Sequence, residues 1–393
     1  MRGRDQVPGG TVARRRNAAQ RIPVRPHGQA AGGSGQHHHD REDRLSLPRR
    51  AALPAVHLGS RERTARQAGR PPLCLRAGRR RNLGGAPVTG TPTFALPGTF
   101  LGISRHDRDA AVCVAGVPFD IGTTNRGGAR FGPQAIRQAS RMLVDGDHPV
   151  ARVDLAGGDL ADIGNFAIAL GDTGESLRLI ERQAAEIPHL LALGGDHAIT
   201  LALLRALAKR RGAAAAAAVA PLALVHFDAH VDTWPDSFGQ AYGHGSVFFH
   251  AINEKLVDPR RMVQIGIRSP VQNAVMDWTL AQGVTVVDAE TVHRDGPQAV
   301  AQRVREAVGA APAYLSFDID ALDPAFAPGT GTPEIGGLAT WQTQAILRRL
   351  AGLNFVGGDV VEVAPPYDTA EITALAGATV AWEYLALARA GGS

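Results

Sequence analysis

The stretch PLALVHFDAHVD, residues 221–232, sets an apolar run directly against alternating acids and histidines. By length and composition its first half is a buried strand. In its second half Asp228, His230 and Asp232 stand two residues apart. An extended chain turns positions i, i+2 and i+4 to one side, so these three side chains face one way at the end of a strand.

The same design recurs twice. The apolar run 189–193 leads into Gly194, Gly195, Asp196 and His197, and the run 313–317 leads into Asp318 and Asp320, with Asp323 following. Further strand-like runs fall at 111–116, 261–267, 284–287 and 355–363. Helical patterns lie between most of them, at 132–142 with Pro133 in the first turn, 175–185, from about 199, 271–282, 297–308 and 340–350, and close the chain at 370–388. Strands alternating with helices argue for a three-layer α/β/α fold around a mostly parallel sheet. Ligands of such sheets sit beyond the carboxyl ends of the strands. All three polar clusters belong there. No linker divides residues 91–393, which read as one domain.

Composition narrows the function. Two cysteines, Cys74 and Cys113, exclude a disulfide scaffold and a cysteine-based zinc module. No apolar run reaches the ~18 residues of a membrane span, and the N-terminus lacks the apolar core of a secretory signal. A soluble cytoplasmic protein without a membrane partner is the expectation. Residues 1–90 hold 19 Arg, no Lys and five acids, a net +14 in a chain of +5, so residues 91–393 carry −9. The basic pI therefore belongs to the N-terminal segment, and the globular part has no nucleic-acid footprint. Residues 1–90 are rich in Arg, Gly, Pro and Gln without an apolar period, which predicts a disordered extension. A nucleic-acid arm and an organelle transit segment are the other readings of it. Lys209 and Lys255 are the only lysines, and 213–218 is an alanine run. This bias fits a GC-rich gene, in which residues 1–90 could reflect an upstream start site.

His197, Asp228, His230, Asp232, Asp318 and Asp320 thus converge from three strand ends. Four crowded carboxylates need positive charge to stay ionised together, and two divalent cations supply it. Oxygen-rich ligands with two imidazoles suit Mn²⁺, with Zn²⁺, Co²⁺ or Fe²⁺ as alternatives. Such a pair activates water near neutral pH.

At these residues the sequence resembles the ureohydrolases, the family of arginase and agmatinase. The matching segments are GGDHAIT at 194–200, FDAHVDTW at 227–234 and SFDIDALDPAFAPGTGTPEIGGL at 316–338. GVPFDIGTTNRGGARFGP at 116–133 and DVVEVAPPYD at 359–368 are similar to the agmatinase branch. The resemblance covers roughly 110–390 and implies an arginase-like fold. It implies two Mn²⁺ per subunit, hydrolysis of a guanidino group to urea and an amine, and assembly into homotrimers or hexamers. It places His197 and Asp232 on one metal, His230 and Asp320 on the other, and Asp228 and Asp318 between them. Glu362 becomes the carboxylate that pairs with the substrate guanidinium, and His244 the proton shuttle. A one-zinc deacetylase is a further reading, ranked below the ureohydrolases because all six ligand positions are filled.

The small-molecule substrate is read from the loop after Asp232. Arginases carry there a loop rich in Asn, Thr and Ser, whereas this chain has Thr233-Trp234-Pro235-Asp236-Ser237-Phe238-Gly239-Gln240. No Lys or Arg lies between Asp232 and His244, and Asp236 is available to a cation. This favours agmatine, cleaved to putrescine and urea. Arg126 and Arg130 leave open a guanidino acid such as 4-guanidinobutyrate.

Overall fold

A computed structural model describes residues 92–214 and 220–390. The expectation for residues 1–90 lies outside the described residues. The described chain forms one sheet of eight strands: β1 (Val112–Gly116), β2 (Leu160–Asn165), β3 (Leu190–Leu193), β4 (Leu222–Phe227), β5 (Val257–Ile267), β6 (Thr285–Asp288), β7 (Ala313–Asp318) and β8 (Phe355–Val361). Their order is β2-β1-β3-β8-β7-β4-β5-β6, and every pairing among them is parallel.

Strand side chains alternate between two cores. Val112 and Val114 of β1, and Ala223, Val225 and Phe227 of β4, join one core. That core includes residues of α1 (Gly132–Ser140), α6 (Ala289–Val308), α7 (Thr340–Arg348) and α8 (Ile372–Ala390). Cys113, Ala115, Leu222 and Leu224 join the other, against α2 (Thr173–Ala184), α3 (Ile199–Ala214) and α4 (Val247–Asn253). A two-residue period feeding two cores is what a sheet covered on both faces requires. A further helix, α5 (Asn273–Ala281), follows β5.

Several elements differ from the sequence reading: α4 was not anticipated, and β5 begins at Val257 rather than at 261. β2 was not anticipated, because LADIGN alternates poorly. Its Asp162 is buried in a bidentate pair with Arg137 of α1, at 2.8 and 2.9 Å, rather than exposed. The helix expected from 297 begins at Ala289, and Gly296 (φ 76°) with Pro297 breaks it into two pieces. The last strand stops at Val361, two residues early, because Glu362 turns into the left-handed region at φ 63°.

The topology places the site. Strands β3 and β4 are consecutive in sequence, yet β8 and β7 lie between them in the sheet. The four strands that lead into the polar clusters and Glu362 are therefore neighbours, and their carboxyl ends form one rim.

Candidate metal centre

Each rim residue is set by its local backbone. After β3 the chain passes through Gly194 and Gly195. A Cβ there would lie 2.5 Å from the Val361 Cα and 2.2 Å from the Phe119 carbonyl oxygen, so only glycine allows this approach. Asp196 then accepts from the Gly122 and Ala198 N–H groups at 2.7 and 3.0 Å, which ties the 116–133 loop to the start of α3. His197 follows, fully buried. Asp232 and Glu362 both hold positive φ (48° and 63°), costly for residues with a Cβ and a mark of functional rims.

The six residues expected as metal ligands come together. His197 Nδ1 lies 3.2, 3.0 and 3.3 Å from carboxylate oxygens of Asp228, Asp232 and Asp318. His230 Nδ1 lies 3.2 and 3.1 Å from Asp228 and Asp320. Asp228 touches both imidazoles, one with each oxygen. Asp318 meets His197 and accepts the Asp320 N–H at 2.9 Å. Asp320 also accepts the Ala229 N–H at 3.0 Å.

With the protein's own groups as the only charges, this cluster is unbalanced. Burial pushes the Asp318 carboxyl well above its usual range, and the charges of Asp320 and Asp228 push it further. Burial and Asp228 likewise raise Asp320. For Asp228 burial acts upward, but His226, His197 and His230 outweigh it and hold the group ionised. Burial pulls His230 down, yet Asp320 and Asp228 lift it to about 12. His197 Nδ1 is buried with no hydrogen-bond partner although three carboxylate oxygens surround it. An unpartnered imidazole nitrogen inside a nest of hard oxygen donors is the donor set of a divalent cation. The residues fit such a group.

His226 was not among the expected residues. It sits in the same alternation, two positions before Asp228, but inside the strand, where periodicity reads as core. His197, His226 and Asp228 can group around one point, as can Asp228, His230 and Asp320. The hydrogen bonds assign His226 a different part. The Gln264 Nε2 donates to His226 Nδ1 at 3.2 Å and to the Val231 carbonyl at 2.6 Å. His226 Nε2 therefore carries the proton and donates it to Asp228 at 2.8 Å.

The two residues expected to work on substrate adjoin the cluster. Glu362 is 1% exposed; its Oε1 accepts from the His197 N–H at 2.9 Å and meets His244 Nδ1 at 3.0 Å. Its Oε2 has no partner. Burial lowers the His244 imidazole, but the Glu362 carboxylate, helped by Asp232 and Asp196, raises it to about 9. The other ring nitrogen of His244 faces Thr124, 2.8 Å from Oγ1 and 3.2 Å from the backbone N.

At the mouth, Arg130 is paired with the buried Asp120. Arg126 lies over the Tyr367 ring at 4.9 Å and makes no ion pair among the described residues. Asp236 accepts the Gly239 N–H at 2.7 Å, closing its own turn. Glu334, absent from the sequence reading, accepts from Ser269 Oγ at 2.9 Å and reaches 4.0 Å from His230 Nε2.

A model of the arginase family matches residues 110–386. Over 300 residues the chain is 44% identical to an agmatinase of Photorhabdus laumondii, covering 73% of this chain and 90% of that one. It is 45% identical over 308 residues to a guanidinopropionase of Pseudomonas aeruginosa, covering 75% and 93%. Among solved structures it is similar to a hypothetical agmatinase from Burkholderia thailandensis, with a TM-score of 0.69, 42% identity, and coverage of 76% and 92%.

Proposed function

This chain belongs to the arginase family, and from that premise we propose that it hydrolyses a linear guanidino compound, agmatine before others, to urea and an amine. The observation that carries the reading is Glu362 Oε2. It is a buried, unpartnered carboxylate oxygen next to a cluster suited to two divalent cations.

His197 and Asp232 would hold one cation, His230 and Asp320 the other, and Asp228 and Asp318 both. We assign two Mn²⁺ per subunit. When bound, such a pair supplies activated water at neutral pH and positive charge for a developing negative charge. The protein's own groups do the rest. Glu362 uses Oε2 to accept N–H from the substrate guanidinium and so fixes its carbon over the cluster. Gly331 leaves the space, since a Cβ there would stand 3.5 Å from that oxygen. His244 holds a proton at Nδ1 against Glu362. A docked guanidinium shares the Glu362 charge, weakens that hold, and favours transfer of the proton to the departing amine.

Agmatine is supported by the absence of Lys and Arg between Asp232 and His244 and by Glu334 at the rim, which suits a cationic tail. Putrescine would then be the second product. One observation favours a guanidino acid instead: Arg126 is a cation without an ion-pair partner among the described residues. Urea release from agmatine, 4-guanidinobutyrate, 3-guanidinopropionate and arginine by Mn²⁺-loaded protein separates the two. Agmatine as best substrate supports the proposal; a guanidino acid as best substrate transfers the role to Arg126. The reading includes residues 91–393 as the catalytic unit, with 1–90 an extension outside it, a homo-oligomer (trimer or hexamer), and a cytoplasmic location without nucleic-acid or membrane partners. Among the described residues no helix is long and apolar enough to cross a membrane.

A further inference from the structure

A row of polar side chains crosses the middle of the sheet beneath the cluster. Strand register pairs Asp359 with Ser316, Ser316 with His226, and His226 with Gln264, across β8, β7, β4 and β5. All four are fully buried. An ionisable carboxylate in the centre of a parallel sheet is expensive unless it is fully hydrogen-bonded, so Asp359 calls for a reason.

Its partners give one. Asp359 Oδ2 accepts from Thr200 Oγ1 and Tyr314 OH, each at 2.8 Å, and Oδ1 accepts from Ser316 Oγ at 2.8 Å. A carboxylate only accepts, so the Ser316 hydroxyl must point its hydrogen at Asp359. Ser316 Oγ is also 2.8 Å from His197 Nε2. Having given its hydrogen to Asp359, Ser316 can only accept there, so His197 Nε2 carries the proton. The lone pair of His197 is thereby on Nδ1, the atom facing Asp228, Asp232 and Asp318.

We infer that Asp359 is a positioning residue that acts through Ser316 to fix the His197 tautomer, turning the ligating lone pair of Nδ1 into the cation cluster. The role is specific to one of the two imidazoles. His230 meets the cluster through Nδ1 as well, but its Nε2 faces the rim and Glu334, not the row. Loss of Asp359 therefore weakens the site built on His197 and spares the one built on His230.

The test is Asp359→Asn in the full chain. With its carbonyl oxygen kept for Thr200 and Tyr314, the amide NH₂ faces Ser316 and reverses the relay. Ser316 then donates to His197 Nε2, and the imidazole proton moves to Nδ1, into the cluster. Chelated protein is titrated with Mn²⁺, and free Mn²⁺ is followed by electron paramagnetic resonance. Wild type takes up two Mn²⁺ per chain. In Asp359→Asn one of the two is expected to bind 10- to 100-fold more weakly, the range typical for outer partners of metal ligands. The other binds within threefold of wild type, and the melting temperature of the metal-free protein is unchanged. Zinc-loaded protein labelled with ¹⁵N-histidine gives a second readout. The His197 Nε2–H coupling, identified by its loss in His197→Asn, is present in wild type and absent in Asp359→Asn. Wild-type affinity at both sites would overturn the inference. So would an equal loss at both sites with a lowered melting temperature, which is the mark of a merely structural group. If Asp359→Asn does not fold, Ser316→Ala carries the same expectation of one weakened site, and two wild-type affinities there overturn it. The inference rests on the proposed two-cation centre. Fewer than two Mn²⁺ in wild type defeats that centre, whereas two Mn²⁺ in wild type with both affinities unchanged in Asp359→Asn defeats only the role of Asp359.

Discussion

Glu362→Gln isolates the contact on which substrate binding depends in the proposed reading. Oε1 already accepts the His197 N–H at 2.9 Å, a main-chain bond that an amide satisfies only with its oxygen. The glutamine NH₂ is thereby driven to the Oε2 position, where it meets the guanidinium donor to donor. The substitution removes a buried charged partner, a change that costs ~3–5 kcal/mol when the other charge stays. At 1.4 kcal/mol per decade this is a loss of about 100- to 4,000-fold in kcat/KM. The same change acts on His244. Its raised value of about 9 has Glu362 as the leading upward influence against burial, so without that charge it falls toward or below the ordinary 6.5. In the proposed mechanism the protonated imidazole is the acid, so activity is lost as pH rises through its pKa. The alkaline limb of the kcat/KM profile stands near pH 9 in wild type and moves down by about two units in the variant. Urea release from pH 5 to 10, with bound Mn²⁺ counted in each preparation, reads both effects. A loss under fivefold with an unmoved alkaline limb would refute the roles of Glu362 and His244 together.

Other outcomes follow from single contacts. Arg126→Ala is expected to raise KM for 4-guanidinobutyrate about tenfold, the lower end for one hydrogen bond to a charged group, and to leave agmatine within threefold. Equal effects on both would remove Arg126 from the substrate's path. Gly195→Ala would place a Cβ 2.2 Å from the Phe119 oxygen and 2.6 Å from the Val117 oxygen. It is expected to yield little folded protein, and a wild-type melting temperature would show that the strand end can shift. Burial, with Arg210 nearby, holds His189 down to about 4, while it bonds the Tyr384 hydroxyl at 2.6 Å. The unfolded chain takes up that proton near 6.5, so His189 makes stability fall as pH drops from about 6.5 to 4. Urea midpoints across that window should fall more steeply in wild type than in His189→Gln; parallel slopes would contradict the assignment.

The fold was legible because the chain alternates strand and helix, and because three strands end in acids and histidines that only a shared rim explains. The shared rim is also what joins Asp228, His230 and Asp232 to His197, although the chain there has left the strand and Asp232 turns to φ 48°. What escaped was polar and inside the sheet. β2 was hidden because Asp162 interrupts its apolar pattern, and its burial makes sense only beside Arg137. His226, Ser316 and Asp359 belong to three strands distant in sequence, and their row exists only in the register of β4, β7 and β8. Glu334 was hidden in a loop, where nothing in local spacing ties it to His230. Periodicity reports which face a side chain takes, not which neighbour it meets. Asp236, read as open to a cation, is exposed and accepts the Gly239 N–H through Oδ1, which leaves its other oxygen open to outward contacts.

Counting metal and urea in one preparation tests the central claim most directly. Wild type and Asp228→Asn are loaded with Mn²⁺, dialysed, and measured for bound manganese and for urea formed from the four guanidino compounds. Because Asp228 touches both His197 and His230, the expected result is two Mn²⁺ and turnover in wild type, with both lost together in Asp228→Asn. Two bound Mn²⁺ with no urea from any of the four compounds, or full turnover by Asp228→Asn, would contradict the account.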